Sequence, residues 1–345
     1  PPRSTLFPYT TLFRSGRHHD RTVHHRPVTA YTTLPSLETL GSVRAMACEI
    51  TLQAARRPQE PHVVERALDV FTAAEAACTR FDASSPLMAV NAEPDRWHEV
   101  PRVLWVAVGA AYAAYLETEG RFDPRVFADL RRLGYDRTFA QVAADPPPAV
   151  AAGPRLPLGR WRPRFASGPE PALHLGGHPV DLGGIGKGLA VRWAAERLDG
   201  QVDGYVLDAS GDGLCRGSGP DGGPWTVGVE HPVEVDRPIA VLGLTDQAYA
   251  TSSLRLRRWA VQGGSAHHLI DPRTGLPGGA GLASVTAVAD DPADAEVLTK
   301  TLFLHGPGAI GPAADRQGVA ALWIDGNGTV GCSRAMEPLL VWRGW

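Results

Sequence analysis

What this 345-residue chain lacks narrows it first. It has no excess of positive charge: 34 Lys and Arg stand against 37 Asp and Glu, for a formal charge of -3. Without a basic field, nucleic acid is not an expected partner. Cysteine is scarce, and Cys48, Cys78, Cys215 and Cys332 lie far apart with no C-x-x-C pair. That excludes a zinc spacing and a disulfide framework, and leaves four buried or half-buried thiols. Long hydrophobic runs are absent too. The longest, 103–116, is too short to span a bilayer and contains Gly109, Tyr112 and Tyr115. It reads as a buried helix. No secretory signal is visible and no transmembrane segment is expected. The expected location is the cytoplasm, or a membrane surface on either side. No internal repeat is present.

What is there describes a globule. Hydrophobic residues make up 43% and charged residues 21%, enough to bury a large core. The length allows two average domains or one large one. Residues 1–15 have no usable period, and Pro2 and Pro8 interrupt them. His18-His19 and His24-His25 follow without an apolar scaffold to hold a metal. Residues 1–37 are therefore expected to be a disordered or artefactual extension, and 38–345 a single domain.

Within that domain, 46–52 alternates as a strand. Residues 63–80 carry Val64, Ala67, Leu68, Phe71 and Ala74 at helical spacing. A loop and a short helical turn cover 80–91. A helix at 103–119 stops at Gly120, and Gly120 to Pro124 forms a turn that projects Asp123. Residues 145–172, rich in Pro, Gly and Ala, read as an irregular connection. Val180 to Gly188 reads as strand, glycine turn and helix. Residues 205–213 read as a strand running into a polar turn, and strands follow at 225–230, 239–244, 283–289 and 319–324, with a helix at 293–304 and a hairpin turn at 325–328. Helices and strands come in runs, without regular alternation, so the expected class is α+β with largely antiparallel sheet.

Three stretches carry chemistry. The densest is His267-His268-Leu269-Ile270-Asp271-Pro272-Arg273-Thr274-Gly275, which puts a histidine, a carboxylate and an arginine around one turn. Asp271 is near enough in sequence to orient the His268 imidazole, as the second partner of a general base does. The plain alternative is a surface turn. Ala250-Thr251-Ser252-Ser253 offers small residues and hydroxyls suited to lining a phosphate. Asp181-Leu182-Gly183-Gly184-Ile185-Gly186-Lys187-Gly188 lets backbone approach a ligand closely. It departs from both the P-loop and the G-x-G-x-x-G fingerprints, so a plain strand–helix turn stays equally open.

Taken in order, the motifs resemble those of the ApbE family, the FAD:protein FMN transferases. They are Met46-Ala47-Cys48, Ser85 through Asn91, Gly120 through Pro124, Asp181 through Gly188, Ala250 through Ser253, His268 through Gly275, and Ala295 through Thr301. Each is weak alone, but seven in sequence over 40–343 are specific. The resemblance implies a T-fold-like α+β architecture and an enzyme that binds FAD with magnesium. It implies transfer of FMN to a threonine hydroxyl of an acceptor protein, with release of AMP. His268 with Asp271 then matches the base. Lys187 matches a lysine that contacts FAD. Met46, Asp123 and Leu269 fall where the flavin nucleotide is lined, and Thr251 and Ser252 join that set. The Gly184 carbonyl matches a metal ligand.

One departure bears on the metal. The family's metal-binding Asp and Thr fall on Glu296 and Lys300. Four residues apart, these share a helix face. Glutamate can ligate magnesium, but a lysine ammonium is only a donor. The pair is thus either an i,i+4 salt bridge or a cation placed where the metal would sit. The altered site leaves two other functions on the same scaffold: an FAD-binding or carrier protein, and an FAD pyrophosphatase with water as nucleophile.

Overall fold

The computed structural model of the chain describes residues 37–345, apart from 55–57, 59, 61, 145–157, 232–236, 256, 262 and 263. The N-terminal extension with its histidine pairs, and half of the expected connection at 145–172, lie outside the described residues.

An eight-stranded sheet organises the fold. Its strands are β1 (Glu38–Ala45), β2 (Cys48–Ala54), β3 (Tyr205–Asp208), β4 (Gly213–Arg216), β5 (Gln247–Ser253), β6 (Leu282–Ala289), β7 (Ala320–Asp325) and β8 (Val330–Cys332). They lie side by side in chain order, and every pair is antiparallel. The principal helices are α1 (His62–Cys78), α2 (Arg102–Glu117), α3 (Gly186–Leu198) and α4 (Pro292–Phe303).

The period-2 alternation of the strands makes two cores. Leu207, Leu214, Ala248 and Ala250 face α1 and α3, packing with Phe71, Ala190, Ala194 and Leu198. Their neighbours Val206, Cys215 and Tyr249 face the other way, against a three-stranded sheet of Trp225–Glu230, Pro238–Leu244 and Leu340–Arg343. The sheet is therefore covered on both faces, and the architecture is α+β and largely antiparallel, as the motif order implied. Among the described residues no helix is long and apolar enough to cross a membrane.

Three local expectations change. The strand expected from Met46 begins at Cys48, because Met46 and Ala47 are the two central residues of the β1–β2 turn. Their φ values are 53° and 59°. Positive φ at both centres is the type I′ hairpin turn, which matches strand twist, and here the flanking ladder imposes it on residues that do not prefer it. Val180 belongs to no strand. The Asn91 side chain takes the place of a strand partner, accepting from Val180 N–H at 2.8 Å and donating to its carbonyl at 2.8 Å. The 145–172 connection is also less irregular than its composition suggests. Arg164–Ala166 and Ala172–His174 pair as short strands.

The site depends on how closely α3 and α4 cross. A Cβ at Gly188 would stand 2.4 Å from the Pro292 carbonyl oxygen and 2.6 Å from Ala293 Cα. Both are backbone atoms, which cannot swing aside. Gly188→Ala is therefore expected to destabilise the protein by about 1–3 kcal/mol, the usual cost of overpacking. Urea unfolding of the variant checks this, and a midpoint equal to that of the parent would mean the crossing is loose.

Candidate active site

The turn before α3, the loop after residue 120 and the loop at 268–272 converge on one pocket. Asp123, Asp181, Gly183, Gly184, His268, Leu269 and Lys300 line it, together with Arg80, Phe81, Arg121, Tyr135 and Arg257. Of the residues singled out in sequence, Asp123, Gly184, His268, Leu269 and Lys300 reach the pocket directly. Met46, Lys187, Thr251, Ser252, Asp271 and Glu296 are not in its lining.

His268 is partly buried, and its Nδ1 lies 3.3 Å from the Arg257 carbonyl oxygen. A carbonyl only accepts, so this contact keeps the proton on Nδ1 and leaves the Nε2 lone pair available. Loss of surrounding water, and then the charges of Arg257 and Lys300, hold the imidazole well below its ordinary pKa. The ring is neutral at physiological pH.

His268 and Asp271 do not pair as expected. Asp271 does not orient the imidazole. Its carboxylate accepts from Arg273 N–H at 2.9 Å, from Arg273 Nε at 3.0 Å and from Arg273 Nη2 at 2.6 Å. Burial works to raise its pKa, but the Arg273 bonds outweigh it and hold the carboxyl below the usual range. Two residues of separation suffice for a bidentate Arg–Asp turn, which takes the carboxylate before the imidazole can.

Asp123 lines the pocket but does not project free. It is buried, capping Arg125 N–H at 2.9 Å and paired with the Arg125 guanidinium at 2.7 Å. Lys187 pairs with Asp212 behind the glycine turn. Burial disfavours the Lys187 ammonium, yet Asp212, with Glu296 beyond it, holds its pKa above the usual lysine value. Asp212 also accepts from Thr251 N–H at 3.0 Å. The Arg257 charge works to lower the pKa of both Lys187 and His268. The hydroxyls expected to line a phosphate are spent on neighbours: Thr251 on Thr286 at 2.9 Å and Ser252 on Thr299 at 2.7 Å. Met46 is near but indirect, its Cε 3.4 Å from the position of a Cβ at Gly186.

Glu296 is fully buried, at 0% exposure. One oxygen accepts from Gly188 N–H at 2.8 Å, and the other meets Lys300 Nζ at 3.1 Å. This decides between the two readings of the pair in part: the i,i+4 salt bridge forms, and its ammonium lies in the pocket wall. These residues do not fit a magnesium ion. Both Glu296 oxygens are engaged, and the second side-chain position carries a cation, which cannot ligate a metal.

A profile of the ApbE family matches residues 46–323. The chain belongs to the ApbE family. The FAD:protein FMN transferase of Haemophilus influenzae is 31% identical over 148 residues, covering 42% of this chain and 43% of that protein. The match to the Treponema pallidum FAD:protein FMN transferase is longer, 25% identical over 277 residues, 75% of this chain and 76% of that protein. The chain thus spans under half the length of the first of these relatives. The crystal structure of the ApbE protein from Thermotoga maritima superposes with a TM-score of 0.73 at 23% identity, covering 88% of this chain and 99% of that one. The apo flavinyl transferase ApbE of Pseudomonas stutzeri gives 0.69 at 19% identity, covering 90% and 98%. These two establish the ApbE fold.

Sequence reading of this ApbE chain passed over the Arg80 corner. Arg80 Nε meets Asp181 Oδ2 at 2.5 Å, and Nη1 donates to the Tyr135 carbonyl at 2.6 Å. The guanidinium carbon lies 4.2 Å from the Phe81 ring centroid and 4.4 Å from that of Tyr135. Phe81 is 41% exposed at the pocket edge, offering an aromatic face. No sequence signal marks it, because Tyr135 and Asp181 come from distant parts of the chain. For the Lys187–Asp212 pair, Asp212→Asn is expected to cost about 3–5 kcal/mol, because it leaves a buried ammonium unpaired. Adding Lys187→Met should recover part of that loss. Urea denaturation of the single and double variants measures it, and equal midpoints for Asp212→Asn and the parent would show that the pair does not matter.

Proposed function

We propose that this chain is an FAD:protein FMN transferase, moving FMN from FAD to a threonine hydroxyl of an acceptor protein with release of AMP. The observation that carries the reading is His268: a neutral imidazole with an available Nε2, in the wall of a pocket edged by glycine backbone, cations and an exposed aromatic. The names of the relatives support the same chemistry.

The reaction needs little beyond position and charge. The acceptor threonine Oγ forms a bond to the phosphorus of the FMN half. The P–O bond to the AMP half breaks, and the electron pair leaves with AMP. The hydroxyl proton passes to His268 Nε2. The loose transition state spreads negative charge over the phosphoryl oxygens, which favours nearby cations. Arg121, Arg257 and Lys300 supply them at the pocket wall. Gly183 and Gly184 let backbone approach the diphosphate without a side chain in the way. Phe81 offers its ring to a planar group. Lys187, Asp212 and Thr251 lie outside the pocket lining, where the Lys187–Asp212 pair and the Thr251 N–H to Asp212 bond support the glycine turn.

His268→Ala is expected to lower transfer by about 10²–10⁴-fold while FAD affinity survives, since a base acts in the chemical step. The assay is full-length protein with FAD and a threonine-bearing acceptor, read as in-gel flavin fluorescence with AMP release. Equal losses of affinity and turnover would make His268 a binding residue. FMN and AMP free in solution, with an unlabelled acceptor, would make the enzyme a pyrophosphatase. Bound FAD with no products would make it a carrier.

The acid limb of the rate should also lie below pH 6.5, the ordinary histidine value, because the folded site depresses the His268 pKa. The unfolded chain binds the proton more readily, so His268 contributes stability above that value and loses it as pH falls toward the folded pKa. A rate profile whose acid limb sits at or above the ordinary value would mean that the base is not this imidazole.

A further inference from the structure

The Glu296–Lys300 pair does more than displace a metal ligand. We propose that the Lys300 ammonium is a tethered cation for the diphosphate, so that this chain binds FAD without a divalent ion. The inference rests on the FAD reading of the pocket.

The geometry carries it in three parts. First, the carboxylate that would be offered to a metal is closed. Glu296 is fully buried, with one oxygen under the Gly188 amide and the other under Lys300. Second, the lysine is held but not used up. An ammonium has three N–H donors, and Glu296 takes one, leaving two for ligand oxygens. The side chain is 19% exposed and lines the pocket between His268 and the glycine turn. Its Cε lies 4.0 Å from where a Cβ at Gly184 would stand, so the cation sits beside the backbone that approaches the diphosphate.

Third, the rest of the wall favours an anion. Asp123 and Asp181 are neutralised by Arg125 and Arg80. Arg121 and Arg257 also line the pocket, and no described carboxylate forms a salt bridge with either. A concave wall of this sign draws anionic ligands and repels a free divalent cation. A fixed single charge stabilises a bound diphosphate, but it polarises the scissile phosphate less than a doubly charged ion would. The chain therefore keeps ligand affinity and gives up some rate.

The test uses the native full chain with FAD, following flavin fluorescence on titration in EDTA and in saturating magnesium chloride. The dissociation constants should agree within about twofold, a difference too small to represent a lost cation contact. Calorimetric titration with magnesium chloride alone should show no stoichiometric binding. Lys300→Thr should weaken FAD about tenfold or more in EDTA, the scale of a lost charged hydrogen bond. Magnesium should then restore part of the affinity, because Glu296 regains a free oxygen. Lys300→Arg should keep the native affinity in EDTA. Native affinity that collapses in EDTA and returns with magnesium would overturn the proposal and leave the FAD reading standing. Failure to bind FAD under either condition would overturn both. If Lys300→Thr does not fold, the native titrations decide alone.

Discussion

The buried Glu296 carboxylate is the contact on which the site depends. It lies at 0% exposure, yet both of its oxygens are engaged. A buried charge of this kind persists only when it is fully satisfied. Satisfying it joins three things: the first turn of α3 through Gly188 N–H, the body of α4, and the pocket wall through Lys300. The close crossing permitted by Gly188 brings the amide within reach. A side chain at that position would part the helices and leave the carboxylate half-satisfied.

The sheet makes this junction rigid. Strands in chain order, covered by helices on one face and a smaller sheet on the other, leave little room for β5 and β6 to shift. Behind the glycine turn, Asp212 ties Lys187 on α3 to the Thr251 amide on β5. Ser252 is tied to Thr299 on α4. The pocket is built from loops, and the regular elements behind it, α3, α4 and β5, are tied to one another. Catalytic groups on such loops need not be ordered by the ligand, which lowers the entropy cost of binding.

Much of this was legible in sequence, for physical reasons. The amphipathic stripe of α1, the Gly120 stop and the alternating strands are local patterns, and local patterns survive folding. The convergence of the glycine turn with the His268 loop was legible only through motif order, since nothing in either stretch states its partner. The failures came from partners and constraints that lie outside the local sequence. Asp271 had both His268 and Arg273 within reach, and the guanidinium's bidentate geometry won. Val180 looked like a strand, but Asn91, distant in sequence, supplies its hydrogen bonds. Met46 and Ala47 have no preference for a turn, and the ladder on either side puts them in one. The Arg80 corner depends on Tyr135 and Asp181 arriving from elsewhere in the chain, so no local pattern marked it.

Function here requires one pocket to bring a diphosphate, a neutral imidazole and the Lys300 cation together. A crystal structure of the native chain with FAD tests this most directly. The diphosphate is expected within hydrogen-bonding reach of Lys300 and the Gly183–Gly184 backbone, with His268 Nε2 facing the FMN-side phosphorus. A dinucleotide bound elsewhere, or one whose diphosphate turns away from Lys300 and His268, would contradict it.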